Sequence, residues 1–325
     1  MFRMLLVRLR VPVRFSSPWK TDRVDPLEDV LSLLDTRSYL SDGLIAGGTW
    51  AVDFEPPGAG VKFNAVRRGH CLLEVEGLDA PVELAEGDCY LLTRPRKFRL
   101  LSDPAAVPKP AHPLFAAAAD GWARTGTGDD VELIGGGFSF GTRARTLLLD
   151  NLPPVVHVPA ATPQAATVRW AVDRIDTERR THRLAAGLVT EHLAVIMLIE
   201  ILRLHLDRDP ASVTGWLAGL TDPVVASALR EIHTHPERPW TVATLAGAAA
   251  VSRSTLAARF RTAVGRGPLD YLTTWRIELA ANRLRRTDAP VAVIARDVGY
   301  GSESALNVAF KRTMNLTPAA YRRAN

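Results

Sequence analysis

Cysteine and long apolar runs are scarce in this sequence, and each shortage excludes a class of protein. Two cysteines in 325 residues cannot form the disulfide framework of a small secreted domain. Apolar residues make up 47% of the chain, yet no stretch approaches the roughly 20 apolar residues that span a bilayer. We therefore expect a protein of the reducing cytoplasm without a membrane segment.

The first 24 residues mix arginine with short apolar stretches. The apolar run Met4–Val7 is shorter than the roughly 7 to 15 residues of a signal-peptide core. Residues 1–24 are therefore predicted to be a poorly ordered extension, or the product of an upstream start codon. The chain length predicts two or three domains in the remainder.

Excess positive charge is confined to the C-terminal third of the chain. Residues 215–325 hold 15 Lys and Arg against 8 Asp and Glu, whereas the other residues hold 25 against 27. A net charge of +7 in this third suits a partner that is a phosphate polyanion. This region is the candidate for binding nucleic acid.

The stretch Val293–Arg323 has the pattern of two short helices joined by a tight turn. Apolar residues recur at helical spacing before Gly299 and Gly301, and a second apolar series begins after Ser302. The Ser302 hydroxyl can cap the second helix by accepting from its free N–H groups. The pattern predicts a helix-turn-helix, which any helical hairpin can imitate.

An earlier copy of the same pattern strengthens this prediction. Leu245 matches Ile294 at an offset of 49 residues, and Phe260 matches Phe310 at an offset of 50. One residue was therefore gained or lost inside the turn. The apolar scaffold is shared while the outward faces differ, which suits the reading of two different half-sites.

The two copies and the helix between them resemble the DNA-binding domain of the AraC/XylS family of bacterial transcription regulators. The resemblance rests on WTVATLAGAAAVSRSTLAARFRTAVGRGPLDYLTTWRIELAANRL and PVAVIARDVGYGSESALNVAFKRTMNLTPAAYRR. It implies two helix-turn-helix units joined by the long helix Pro268–Arg286, which would place the recognition helices about 34 Å apart in successive major grooves. One departure is Ala250, which stands where the family usually has glycine. A positive φ there would cost on the order of 1 kcal/mol.

Residues 25–160 are predicted to form a domain of short strands preceded by a helix at 25–34. Strands are predicted at 44–54, 63–66, 71–75, 82–84, 89–92, 98–101 and 131–134, separated by glycine and proline. The segment VELAEGDCYLLTRPRKFRL resembles the cupin-like sensor domains that are fused to many AraC/XylS regulators. The resemblance implies a cupin-like β-barrel, or jelly roll.

The histidines that hold the metal in cupin enzymes are missing from this domain. Phe63 and Asn64 replace the His-x-His pair, and the second ligand region reads Pro95–Phe98. Because imidazole is a natural ligand for divalent transition metals, we expect no metal, no cofactor and no catalytic residue. A metal-dependent cupin enzyme with a DNA-binding tail is the alternative.

A barrel without metal can still bind a small ligand in its mouth. The residues predicted to line such a cavity, because they fall on predicted strands, are Trp50, Phe63, Asn64, Cys71, Glu74 and Phe98. Packing of the aromatic residues in the barrel core is the other interpretation. Cys71 and Cys89 would form a thiol switch if they lie on neighbouring strands, although a buried cysteine more often packs as a small hydrophobe. A barrel that only oligomerises is a further alternative.

Residues 164–208 are predicted to form a helical dimerisation segment. The second of its two helices, around 188–204, carries apolar residues on most of its faces, and so it needs burial on more than one side. The AraC/XylS resemblance implies dimerisation here, and an intramolecular hairpin is the alternative. Residues 209–220 are predicted to be a linker, followed by the DNA-binding domain at 221–325.

The outward faces of the two predicted recognition helices carry different chemistry. The predicted base contacts are Arg253, Ser254, Ala257, Ala258, Glu303, Ser304 and Asn307. Arginine can donate to guanine, asparagine can pair with adenine and glutamate can accept from cytosine. The predicted phosphate contacts, which hold the register, are Arg259, Arg261, Lys311 and Arg312. Because the first unit carries two alanines, the second is predicted to make more of the base-specific hydrogen bonds.

Together these patterns predict a multidomain α+β transcription regulator. It would have a cupin-like sensor, a helical dimerisation segment and two helix-turn-helix units. Its predicted partners are double-stranded DNA, a second copy of the chain, a small-molecule effector or redox signal, and RNA polymerase if it activates transcription.

Overall fold

The computed structural model describes residues 25–33, 37–56, 60–139, 149, 152–162, 165–181, 183–208 and 215–324. The extension predicted over residues 1–24 lies outside the described residues. Helix α1, Pro26–Leu33, confirms the helix predicted at the start of the first domain. Its first turn is closed by Asp25, whose Oδ1 accepts from the N–H of Leu27 at 2.8 Å.

The first domain is a sandwich of two sheets. In chain order the described strands are β1 (Arg37–Gly47), β2 (Ala51–Phe54), β3 (Val61–Arg68), β4 (His70–Val75), β5 (Val82–Ala85), β6 (Cys89–Leu92), β7 (Phe98–Leu101), β8 (Pro108–Pro110), β9 (Trp122–Gly126), β10 (Val131–Ser139) and β11 (Val155–Val158). The six-stranded sheet has the order β11-β6-β3-β10-β1-β9, and the five-stranded sheet has the order β5-β4-β7-β2-β8. Apolar side chains of both sheets, such as Leu133 and Leu73, form the core between them. The cupin-like β-domain is confirmed, as two packed sheets in the described ranges rather than as one closed barrel.

Three edge strands, β8, β9 and β11, were not among the strands predicted from the sequence. The strand β8 contains two prolines, which cannot donate to a ladder, and it lies at the edge of its sheet in parallel pairing with β2. At the edge of the other sheet, β9 pairs in parallel with β1. The single strand predicted over 44–54 is two strands, because the chain turns at Gly48, whose φ is +64°.

Three consecutive glycines in β10 make room for the side chains of the neighbouring strand β3. Gly135 lies opposite Asn64, and a Cβ there would be 2.1 Å from the Asn64 Oδ1. Gly136 lies opposite Phe63, and a Cβ there would be 2.8 Å from the phenyl ring. The glycine run therefore lets Phe63 and Asn64 pack tightly at the centre of the six-stranded sheet.

The remaining described helices are α2 (Ala111–Ala116), α3 (Ala166–Thr181), α4 (Ala186–Arg208), α5 (Gly215–Thr221), α6 (Pro223–Thr234), α7 (Val242–Ala248), α8 (Arg253–Val264), α9 (Pro268–Arg286), α10 (Val291–Asp297), α11 (Glu303–Met314) and α12 (Pro318–Ala324). Helices α3 and α4 pack together, and their apolar faces cover the outer face of the six-stranded sheet. This sheet is covered on both sides, so all four residues of β6 are buried. Over the described part of the chain, no helix combines the length and apolar character needed to cross a membrane.

Part of the segment predicted to be a linker, residues 209–220, is helical. Residues 215–220, which were assigned to it, lie in helix α5. Trp216 and Leu217 are 2% and 0% exposed and belong to the core of the first helix-turn-helix unit, and burying this apolar pair favours the helix.

One cluster of buried side chains connects the two halves of the molecule. It runs from the outer face of the six-stranded sheet through α3 and α4 to the first helix-turn-helix unit, and it includes Leu27 and Val30 of α1. The second helix-turn-helix unit has its own cluster, which contains Leu306 and Phe310. The first unit is therefore continuous with the cupin-like domain, whereas the second packs around the far end of α9.

Candidate DNA-binding surface

The two helix-turn-helix units make the same turn. Between α7 and α8, the N–H of Val251 donates to the Ala246 carbonyl at 3.0 Å, and between α10 and α11 the N–H of Tyr300 donates to the Ala295 carbonyl at 2.8 Å. The residue before each donor is left-handed: Ala250 has φ +53° and Gly299 has φ +90°. Ala250, which stands where the family usually has glycine, thus adopts a positive φ.

The extra residue of the second unit is Gly301. Up to Tyr300 the sequences of the two turns align at an offset of 49 residues, and from Ser302 onward they align at an offset of 50 residues. Ser302 begins α11 by accepting from the N–H of Ala305 at 3.2 Å. Ser252 begins α8 in the same way, accepting from Thr255 at 3.1 Å. Equivalent caps therefore fix where both recognition helices start.

Each recognition helix is anchored by a buried leucine and phenylalanine. Leu256 and Phe260 in α8, like Leu306 and Phe310 in α11, are all 0% exposed. The opposite faces carry the predicted base contacts: Arg253, Ser254, Ala258, Glu303 and Ser304 are exposed, and Ala257 and Asn307 are partly exposed. Both faces are accessible to DNA, and the individual base contacts stay predictions.

Two predicted contacts in the first unit already have partners within the protein. The Ser254 hydroxyl hydrogen-bonds to the capping hydroxyl of Ser252 at 2.9 Å. Arg259 forms an ion pair with Asp222, with its Nη2 at 2.8 Å from Oδ2. Burial opposes the charge on Asp222, but hydrogen bonds from Val225 and Arg259 outweigh it and lower the pKa of this carboxyl. A phosphate contact by Arg259 stays a prediction and would compete with this ion pair.

The other predicted phosphate contacts have no such constraint in the geometry. Arg261 in α8 and Lys311 and Arg312 in α11 are exposed. Long basic side chains of this kind can follow a DNA backbone and hold the register without reading sequence.

Arg276 of the connecting helix α9 ties the two units together. Its Nε donates to the Pro236 carbonyl at 2.6 Å, and its Nη2 donates to the Arg238 carbonyl at 2.7 Å. The guanidinium also lies 5.9 Å from the centre of the Tyr300 ring in the second turn. Burial lowers the pKa of Arg276, although nearby acceptors satisfy its charge. One side chain therefore contacts the loop before the first unit and the turn of the second.

Helix α1 of the cupin-like domain docks against the helix-turn-helix domain, between α6 and α9. The Asp29 carboxylate lies 3.1 Å from the Nδ1 of His233, and the His233 Nε2 lies 2.8 Å from the Tyr271 hydroxyl. The imidazole also stacks on Trp275, with 4.0 Å between ring centres. Burial lowers the pKa of His233, an effect that Asp29 partly offsets. Since a carboxylate can only accept, the neutral imidazole donates from Nδ1 to Asp29 and accepts at Nε2 from the tyrosine.

Sequence reasoning missed this interdomain contact. Asp29 and His233 are 204 residues apart, and neither belongs to a recognisable motif. The only sequence signal was the amphipathic pattern of α1, which shows that the helix is buried but not against which domain.

The predicted ligand-binding residues fall into two groups. Trp50, Phe63 and Cys71 are at most 3% exposed and pack in the apolar cores, as does Asn64, whose Nδ2 donates to the Tyr90 hydroxyl at 2.6 Å. Glu74 and Phe98 instead line a cavity of about 470 Å³ at one end of the five-stranded sheet. The same cavity is lined by Asp53, Phe54, Glu55, Lys97 and Arg99. The structure thus brings only Glu74 and Phe98 together at an accessible pocket.

The two cysteines lie on strands of different sheets, not on neighbouring strands. Cys71 is in β4 and packs between the sheets, whereas Cys89 is in β6 and packs on the helix-covered face. Burial, followed by the charge of Asp88, raises the pKa of each thiol to about 12. Neither feature favours a reactive thiolate, so the redox alternative gains no support. Within the described ranges, no group of three or more His, Cys, Asp or Glu side chains is arranged to hold a metal ion.

Comparison with known proteins agrees with this architecture. Residues 25–207 match the cupin family, and residues 245–324 match the helix-turn-helix domain family. A protein of Streptomyces lividans named as an AraC-like transcription regulator is 65% identical over 300 residues, which cover 92% of this chain and 98% of that protein. A Streptomyces antibioticus protein of the same name is also 65% identical over 300 residues, covering 92% of this chain and 99% of its own. Among solved structures, a similar one is the crystal structure of the DNA-binding domain of AdpA, a global transcriptional factor, in complex with a target DNA. Its sequence is 37% identical to the matched part of this chain. The match covers 32% of this chain and 92% of that chain, with a TM-score of 0.31. The chain belongs to the family of AraC-like, DNA-binding transcription regulators that join a cupin-like domain to a helix-turn-helix domain.

Proposed function

We propose that the protein is a homodimeric, effector-responsive regulator in which helix α1 carries the state of the sensor to the DNA-binding domain. The observation that supports this role is the buried contact of α1 with α6 and α9, where Val30 is 1% exposed and Asp29 pairs with His233. An effector would act by favouring one arrangement of the two domains, because a ligand with equal affinity for both arrangements shifts nothing.

The two recognition helices read two half-sites in successive major grooves. The side chains that contact bases are Arg253, Ser254, Ala257, Ala258, Glu303, Ser304 and Asn307, and those that contact phosphates are Arg259, Arg261, Lys311 and Arg312. Their exposure on the faces opposite the buried anchors supports this assignment. The turn that precedes each recognition helix supports the assignment further. In both units it contains a residue with positive φ and the same backbone hydrogen bond, so both recognition helices begin in the same way.

The effector site is the cavity that Glu74 and Phe98 line in the sensor domain. Its volume of about 470 Å³ suits a small molecule, and its wall combines the stacked rings of Phe54 and Phe98 with charged side chains. The protein performs no catalysis there: it acts as a regulator in the cytoplasm, and contacts RNA polymerase if it is an activator.

Dimerisation uses the outer face of α4. Leu188, Val189 and Ile196 are 58%, 37% and 39% exposed, and Leu188 and Ile196 are eight residues apart on one side of the helix. A second copy of this helix would cover the stripe. Sedimentation of the full chain tests this step: a dimer that Ile196→Glu turns into a monomer is expected, and a monomer in both cases contradicts it.

Substitution on α1 tests the proposed coupling. Val30→Asp places a charge in the buried contact and should release α1 from the DNA-binding domain. We expect the affinity of the full chain for its selected DNA site to change by about fivefold or more, the lower end of typical coupling between sites. Equilibrium binding to labelled duplex measures the effect.

Glu28→Lys is the matched control, since Glu28 is exposed on the same helix and should leave affinity within about twofold. Unchanged affinity in folded Val30→Asp would remove α1 as the route of coupling. Failure of the wild-type chain to bind any selected duplex would instead contradict sequence-specific binding itself.

A further inference from the structure

We infer that Val308 in α11 is a specificity-determining residue that contacts the methyl group of a thymine. Its side chain is 70% exposed. In the described DNA-binding domain, the other large apolar side chains of notable exposure are Leu269 at 38% and Leu316 at 43%. Val308 is therefore the most exposed of them, and it lies on the recognition helix of the second unit.

Helix geometry points Val308 directly away from the protein core. Leu306 and Phe310, both fully buried, are each two residues from Val308, which is about 200° around the helix axis. Ser304 and Lys311 lie four residues before and three residues after Val308, so they share its face, while Asn307 lies one residue before it and about 100° around the helix. The valine is thus set among the polar side chains of the DNA-reading surface.

The chemistry of this position matches one group of the major groove. Thymine displays a C5-methyl there, the apolar feature that distinguishes it from the other bases, and apolar side chains read it by contact. Helix stability does not account for the valine, because β-branched residues are poorer helix formers than alanine. The first unit has Ala258 at the equivalent position, which leaves a single methyl in place of the isopropyl group.

A thymine contact predicts more than a general loss of affinity. Removing the thymine methyl by substituting deoxyuridine keeps every hydrogen-bonding group of the base pair. If Val308 covers that methyl, the substitution removes one buried methyl group and uncovers the valine carbon that it contacted. Burial of one such group corresponds to a change of about fourfold in affinity.

The test begins with selection of a binding site from random duplexes by the full chain. Each thymine of the selected site is then replaced in turn by deoxyuridine, and binding of wild type and Val308→Ala is measured on every duplex. We expect a penalty of about fourfold at one or two neighbouring thymines for the wild type. The same replacements should change the affinity of Val308→Ala by less than about 1.5-fold.

Leu316→Ala is the control variant, because Leu316 is an exposed apolar residue outside the recognition helix. It should keep the wild-type pattern of penalties. A deoxyuridine penalty that persists in Val308→Ala means that another residue reads the methyl, and it overturns the inference. Absence of any penalty in the wild type also overturns it, including the case in which Val308 contacts a protein partner. Circular dichroism should show the wild-type helix content in both variants, which separates loss of contact from loss of fold.

Discussion

The two helix-turn-helix units share one turn geometry but are held in the molecule in different ways. The core of the first unit, with Leu256 and Phe260, is part of the cluster that reaches back into the sensor domain. The core of the second, with Leu306 and Phe310, is a separate cluster at the far end of α9. The first unit is therefore joined to the cupin-like domain by packed side chains, whereas the second is joined to the rest of the chain through α9 and the contacts of Arg276.

The DNA-facing surfaces differ in the same sense. In the first unit, Arg259 and Ser254 have partners inside the protein and two alanines occupy the face. In the second, Glu303, Ser304 and Asn307 lie on the face beside the exposed Val308. The first unit thus carries the packing contacts to the cupin-like domain, and the second carries more exposed polar side chains at the predicted base-contact positions.

The largest expected effect is a loss of stability when alanine replaces Gly299 in the turn of the second unit. A Cβ at Gly299 would lie 2.8 Å from the Glu237 Cα, a backbone atom, and 2.6 Å from the Arg276 guanidinium. An alanine there would meet these close contacts and would also carry the cost of a positive φ. Gly299→Ala should therefore lower the free energy of unfolding by about 2 to 4 kcal/mol.

Chemical denaturation of the full chain measures this loss. Gly301→Ala is the control, because a Cβ there meets nothing within 4 Å, and it should be close to neutral. Equal effects of the two substitutions would contradict the assignment of Gly301 as the inserted, unconstrained residue.

A smaller effect is expected in the pH dependence of stability, and its source is a buried histidine that packs with the first unit. Burial lowers the pKa of His233 in the folded protein, so the unfolded chain binds the proton more readily. Stability contributed by the neutral imidazole is therefore fully present above the unfolded pKa of about 6.5, and it is lost as pH falls below that value and through the lower pKa of the folded state. Thermal melts from pH 8 to pH 5.5 should show this decline in the wild type and a weaker one in His233→Gln.

His235 provides the control for this measurement. It is two residues from His233 and its side chain is 35% exposed. His235→Gln should retain the wild-type decline. If His233→Gln retained it as well, the buried imidazole would not be its source.

The smallest expected effect is the reverse substitution in the first turn. Ala250 has φ +53°, and Ala250→Gly removes the strain of an L-residue in the left-handed region. Greater freedom of glycine in the unfolded chain offsets part of this gain. We expect a net stabilisation of about 0.5 kcal/mol, measured by chemical denaturation. Destabilisation would mean that the Ala250 methyl makes a packing contact worth more than the strain.

Features that depend on neighbours in sequence could be predicted well. The period of the apolar residues located α8 and α11, and the change of offset from 49 to 50 located an insertion that proves to be Gly301. Each of these follows from local backbone geometry, which a few adjacent residues determine.

Features that depend on distant partners could not be predicted. The docking of α1 joins Asp29 to His233 across 204 residues, and the Arg259 ion pair with Asp222 spans 37. Strand predictions did not reveal that Cys71 and Cys89 face different cores, because a β-strand pattern gives alternation but not sheet membership. Burial of Phe63 likewise depends on the glycines of β10, which lie opposite it only in the folded sheet.

Selection of DNA sites by the full chain and by Arg253→Ala and Asn307→Ala tests the two-part reader most directly. We predict that Arg253→Ala relaxes base preference in one half-site only. Asn307→Ala should relax it in a second half-site about 10 base pairs away, with a loss of about 1 to 3 kcal/mol of discrimination at the affected base. Relaxation of the same bases by both variants, or unchanged preference in both, would contradict the account.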